Sequence, residues 1–149
     1  MLAGDGFERP ALVQLAQELG IGEDVTFLGW VSNAELPPFY RAAAVSVIPS
    51  LEEGFGIPAA EAMGCEVAVV ASDAGGLPEV VENGVTGLVV PRGDSAALAK
   101  AIGSLLADPE RRREMGQAGR ARALRLFDWD RSAEQFEELY REVAARTPR

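Results

Sequence analysis

The sequence predicts an α/β domain built on a doubly wound, Rossmann-like parallel sheet. Short apolar runs alternate with segments of helical spacing along the chain, the pattern that places parallel strands between covering helices. With 149 residues, 48% of them hydrophobic, the chain is long enough for one domain with a sizeable core. At its centre an apolar strand empties into a glycine-bearing turn that opens a helix, as in sheets of this class.

Each element follows from its local pattern. Leu2-Ala3 is the tail of a strand ended by Gly4-Asp5-Gly6. From Pro10 to Leu19, the residues Leu12, Val13, Leu15, Ala16 and Leu19 recur at helical spacing, and Gly20 stops the run. Val25 to Leu28 is a strand. Ser32-Asn33-Ala34-Glu35 is a capping box for a short helix to Ala43, its regular part confined by Pro37 and Pro38. Val45 to Ile48 feeds the central turn, Ile57 to Gly64 is the helix after it, and Val67 to Ala71 is the next strand. Gly75-Gly76 turns the chain, Leu77 to Glu82 makes one or two helical turns, and Val85 to Val90 is the last strand. Asp94 caps a helix to Leu106, and Asp108-Pro109 opens another to Leu124. An amphipathic helix follows from Asp130 to Ala145, with Phe136, Leu139, Tyr140 and Val143 on one face. Residues 146–149 are expected to fray.

Composition narrows the function. No run approaches the ~18 apolar residues of a membrane span, and Met1 leads into no charged-then-apolar signal segment. The single cysteine, Cys65, excludes an internal disulfide and reads as a small buried apolar residue. Without histidine there is no metal-ligand spacing. Cytoplasmic residence follows by default. The net charge of −9 is uneven: residues 1–74 carry eleven carboxylates against Arg9 and Arg41, whereas the second half balances. Nucleic acid is thereby excluded as a partner, since phosphate-backbone binding needs a basic face. The arginines at 111, 112, 113, 120, 122 and 125, interleaved with Glu110, Glu114 and alanines, read as a solvated face, with an anionic-lipid patch as the minority alternative.

Chemistry concentrates between Ile48 and Gly64. Glu53 and Glu61 stand eight positions apart, with Gly54-Phe55-Gly56-Ile57-Pro58 between them. Glycines let a ligand approach the backbone, and Pro58 fits the first turn of a helix. The free N–H groups and positive dipole end of that helix suit phosphate. Carboxylates do not attract phosphate, so Glu53 and Glu61 are better placed to accept hydrogen bonds from hydroxyls. A ligand carrying both phosphate and sugar hydroxyls would use all of these groups.

This segment resembles the donor-binding signature of retaining, nucleotide-sugar-dependent glycosyltransferases of the two-domain GT-B fold, glycosyl transferases group 1. The family pattern of two glutamates separated by seven residues fits Glu53 to Glu61. Gly4-Asp5-Gly6, Val25-Thr26-Phe27-Leu28-Gly29, Gly75-Gly76-Leu77-Pro78-Glu79 and Gly87-Leu88-Val89-Val90-Pro91 also look like family blocks, in family order. The resemblance departs at Gly64-Cys65-Glu66-Val67-Ala68, where a glycine would sit near Glu66 and a proline near Ala68. Gly64 is expected to stop the helix instead.

The resemblance implies that Glu61 takes the ribose hydroxyls and Glu53 those of the transferred sugar, while Gly54, Phe55, Gly56 and Ile57 offer backbone N–H groups to sugar and diphosphate. The bland alternatives are an exposed helix acid, a loop charge with Glu52 in register instead, and an ordinary turn. Trp30 and Val31 would border the nucleobase, with plain packing the alternative for Trp30. Asp73 and Gly75-Gly76 are assigned to structure first.

Family members begin this domain with one more strand and helix, carrying an arginine and a lysine for the diphosphate, preceded by an acceptor-binding domain. Met1 falls at what resembles the second strand, so the chain is expected to lack the first, central strand of the 3-2-1-4-5-6 order. Residues 1–149 are then an incomplete donor domain, without the acceptor domain and with no catalytic residue of its own. The intact enzyme would transfer a hexose from a nucleoside-diphosphate sugar to an acceptor hydroxyl with no metal or other cofactor, and peripheral membrane association fits the family. The alternatives are a non-catalytic nucleotide-sugar-binding fragment or another GT-B enzyme, such as a sugar-nucleotide epimerase or phosphorylase. This chain alone is expected to be inactive.

Overall fold

The computed structural model describes residues 1–146; Thr147, Pro148 and Arg149, within the stretch expected to fray, lie outside the described residues. The chain forms two compact units, Met1–Pro38 and Phe39–Arg149.

The first unit holds β1 (Leu2–Ala3), α1 (Arg9–Glu18), a 3-10 turn (Gly22–Asp24) and β2 (Phe27–Gly29). β1 and β2 pair in parallel, Leu2 opposite Phe27, and the N–H of Gly4 donates to the carbonyl of Gly29 at 2.7 Å. Only Ala16 and Gly29 of this unit are buried. The helix α2 (Leu36–Ala42) spans the boundary between units. Ahead of it, the expected capping box forms in altered form. The Glu35 carboxylate accepts from both the N–H and the hydroxyl of Ser32, holding its pKa below the usual carboxylate range.

The second unit holds β3 (Ser46–Ile48), α3 (Ile57–Gly64), β4 (Val69–Ser72), α4 (Leu77–Val80), β5 (Gly87–Val90), α5 (Ser95–Ala107), α6 (Pro109–Leu126) and α7 (Trp129–Arg146). Its sheet runs β3-β4-β5, all parallel, with Ser46 opposite Val69 and Val69 opposite Gly87. Every residue of β4 is buried. Successive side chains of a strand point to opposite faces, and they feed two cores. Val69 and Ala71 join Ala59, Met63, Leu77 and Val80 on one side; Val70 joins Ala101, Leu105 and Met115 on the other. Helices on both faces are what the doubly wound expectation requires. Two separate parallel sheets form, β1-β2 and β3-β4-β5, each unit carrying its own.

The expected caps are in place: Asp94 accepts from the N–H of Ala97 and Asp108 from that of Arg111. Three expectations need correction. Gly64 does not stop α3 through a left-handed turn. Glu66 takes that conformation (φ 66°), the one non-glycine with positive φ among the described residues. It occupies the place where the family's glycine was expected, and the N–H groups of Glu66 and Val67 close the helix on Met63 and Ala62. Cys65 is half-buried rather than buried. The α6 arginines are not one solvated face. Arg112 donates to the carbonyls of Leu105 and Leu106, Arg120 to that of Gly64, and Arg122 to those of Glu79 and Val80. Each guanidinium ties down the end of a neighbouring helix. Among the described residues no helix is long and apolar enough to cross a membrane.

Candidate functional site

β3 ends at Ile48 and the chain enters the loop that carries Glu53. Ser72, at the end of β4, donates its hydroxyl to the carbonyl of Ser50 at 2.6 Å. The Ser50 hydroxyl donates to the Glu53 carboxylate at 3.4 Å. Beyond β4, Gly75-Gly76 lies directly on the loop, and the N–H of Gly76 donates to the Glu53 carbonyl at 3.3 Å. A Cβ on Gly75 would stand 1.6 Å from that carbonyl oxygen, and one on Gly76 would stand 2.7 Å from the carbonyl of Gly54. Only glycine permits this contact of backbone on backbone, so the structural assignment of this pair holds.

Gly56, left-handed at φ 100°, is the N-cap of α3 and has no side-chain cap. Pro58 follows in the first turn, as expected. Among the described residues no hydrogen bond uses the N–H groups of Gly54, Phe55, Gly56 or Ile57. Four consecutive donors are thus unspent where the positive end of the α3 dipole emerges, an arrangement that favours a phosphate-bearing ligand.

Glu61 lies one turn inside α3, half-buried between the fully buried Ala59 and Ala62–Met63. One of its oxygens, Oε2, accepts from the Tyr40 hydroxyl at 3.1 Å. Burial, and then the Glu61 carboxylate, push the Tyr40 phenol well above its usual pKa, so it remains a donor at neutral pH. A cavity of about 290 Å³ opens beside Glu61, lined also by Phe55, Ile57, Ala123, Phe127 and Trp129. Phe55 meets Phe127 edge-on, ring centroids 5.4 Å apart.

The structure therefore brings Phe55, Ile57 and Glu61 to one hollow. Glu53 is not among that hollow's lining residues; it sits half-buried in the loop, bonded to Ser50. Trp30 and Val31 belong to the first unit, where they follow Gly29 (φ 70°) at the end of β2. Trp30 is 78% exposed.

Two residues of the site escaped the sequence reading. Tyr40 is far from Glu61 along the chain and no spacing links them. Arg92 follows β5, its N–H bonded to Asp73 at 2.8 Å and its guanidinium reaching the carbonyl of Leu51. It brings a cation to a loop that appeared to have none. The signal for Arg92 was the parallel order itself, which gathers the carboxyl ends of β3, β4 and β5 on one side.

Comparison with known proteins bears on the whole chain. The family described as Glycosyl transferases group 1 matches residues 1–122. Alpha-maltose-1-phosphate synthase of Mycolicibacterium smegmatis is 43% identical over 153 residues, covering 91% of this chain and 39% of that protein. Among solved structures, sucrose-phosphate synthase from Thermosynechococcus elongatus superposes with a TM-score of 0.88 at 44% identity, covering 95% of this chain and 36% of that one. Anabaena Alr3699/HepE in complex with UDP-glucose gives a TM-score of 0.87 at 31% identity, over 95% of this chain and 40% of that one. The chain spans little more than a third of the length of these proteins.

Proposed function

The chain belongs to the glycosyl transferases group 1 family, with the fold of the C-terminal domain of GT-B enzymes; from that premise we propose that it binds the nucleoside-diphosphate sugar donor of a retaining glycosyltransferase. The observation that carries this reading is the run of unspent N–H groups from Gly54 to Ile57, at the start of a helix that also bears Glu61. The diphosphate lies against those donors and the helix dipole. Glu61 accepts from the ribose hydroxyls and Glu53 from those of the hexose. Similarity to a protein solved with UDP-glucose makes UDP the first nucleotide to try.

In the intact enzyme the acceptor oxygen bonds to the anomeric carbon on the face from which the diphosphate departs, so the configuration is retained, and the acceptor hydroxyl's proton passes to the departing phosphate oxygen. Oriented N–H dipoles and cations meet the charge left on the diphosphate, with Arg92 supplying one positive charge. No resident metal or cofactor is proposed. In this reading an acceptor domain and further cations of the intact enzyme lie outside these 149 residues. Residues 1–149 alone are then a donor-binding module without turnover, and the enzyme's place is the cytoplasm.

Calorimetric titration with UDP tests the reading. Hydrogen bonds to a charged group contribute about 1.5–3 kcal/mol each, so Glu61→Ala should weaken binding at least ~10-fold. Equal affinity for both proteins would remove Glu61 from the site. Glu53→Gln should lower affinity for UDP-glucose about 5-fold while leaving UDP unchanged, which separates the sugar contact from the nucleotide contact.

A further inference from the structure

We propose that Tyr40 is a positioning residue for Glu61, its hydroxyl holding one carboxylate oxygen so that the other is presented to the ribose diol. The inference rests on the donor reading of Glu61 and adds a residue to it. A glutamate side chain has three rotatable bonds and, unheld, spreads over many rotamers. Here the Tyr40 ring packs against the core formed by Ala59, Ala62, Met63 and their neighbours, which fixes where its hydroxyl stands. That hydroxyl donates to Glu61 Oε2 across a separation of 21 residues. No other hydrogen bond to the Glu61 carboxylate is present among the described residues, so Oε1 and the second lone pair of Oε2 are open to a ligand. A diol asks for two acceptors; the carboxylate keeps enough capacity for both while its plane is set from behind. Because the phenol resists ionisation, the support is present throughout the neutral range.

The full chain is titrated with UDP and with 2′-deoxyUDP as wild type, Tyr40→Phe, Glu61→Ala and the double variant. Wild type should prefer UDP about 10-fold, and Tyr40→Phe should lose about 5-fold in UDP affinity while 2′-deoxyUDP stays within about 2-fold. In the Glu61→Ala background the tyrosine change should have no effect. If Tyr40→Phe weakens both ligands equally, or leaves the preference intact, Tyr40 is not a positioning residue. A wild type without preference, or without measurable binding, removes the ribose role of Glu61 and this inference with it. Should Tyr40→Phe fail to fold, ultraviolet titration of the tyrosines decides. A phenol that ionises at lower pH in Glu61→Ala than in wild type upholds the contact, and unchanged titration overturns it.

Discussion

Glu66 shows how a single residue can carry strain that its sequence only hints at. The left-handed conformation costs a residue with a Cβ about 1–2 kcal/mol, yet Glu66 adopts it where α3 turns into the chain leading to β4. The conformation cannot relax easily, because a Cβ on Gly116 of α6 would stand 2.2 Å from the Glu66 carbonyl. Glu66→Gly should raise the unfolding free energy by about 1 kcal/mol, read from the denaturant midpoint. The family pattern marked the position; local composition, with a glycine two residues earlier, pointed to the wrong residue. Gly75→Ala should act in the opposite sense. With φ at 49° and the Glu53 backbone in its way, it should cost about 3 kcal/mol, measured by thermal unfolding.

Tyr40 adds a pH dependence. Its folded pKa lies above the unfolded value near ~10, raised first by burial and then by Glu61. Below the unfolded value both states hold the proton and this stabilisation is fully present. As pH rises further the unfolded chain releases the proton first, and the stabilisation is lost on the way to the folded pKa. Stability measured between about pH 10 and 12 should therefore fall less steeply in Tyr40→Phe than in wild type.

Among the elements, the strands and helices were legible because their apolar positions recur at strand or helical spacing. The α3 helix opens at Ile57 with Pro58 in its first turn, as the proline suggests, and the two aspartate caps stand at the starts of α5 and α6. The α6 arginines were not legible, because nothing in a run of arginine and alanine tells which guanidinium finds a carbonyl on another helix. Arg122 shows the consequence: it closes the end of α4 by donating to Glu79 and Val80 and meets the Glu82 carboxylate at 3.4 Å. Arg122→Ala should cost about 1–2 kcal/mol, and Arg122→Lys should recover little of it, since an ammonium cannot span both carbonyls in the same fork. The α7 helix, like α2, has no buried residue, and Phe136 and Tyr140 stack on its surface at 59% and 69% exposure. Phe136→Ser should move the thermal midpoint of this chain by less than the equivalent of ~0.5 kcal/mol.

At the scale of the molecule, the parallel order followed from alternation, whereas the division at Pro38 left no mark on composition. The two units differ in what they bury. Phe39–Arg149 has a sheet with a core on each face, while Met1–Pro38 buries only Ala16 and Gly29 around a pair of short strands. Hydrogen exchange should reflect this, with the β4 amides the slowest and those of β1 and β2 exchanging at least ~100-fold faster. Uniform protection across both sheets would contradict that ranking. Within the second unit, the contact of Gly75-Gly76 with Glu53 and Gly54 joins two loops into one piece. Such a rim behaves as a cast: ligands of a different outline are admitted or refused by the side chains mounted on it, and a change of preference can arise there by substitution without loosening the fold beneath.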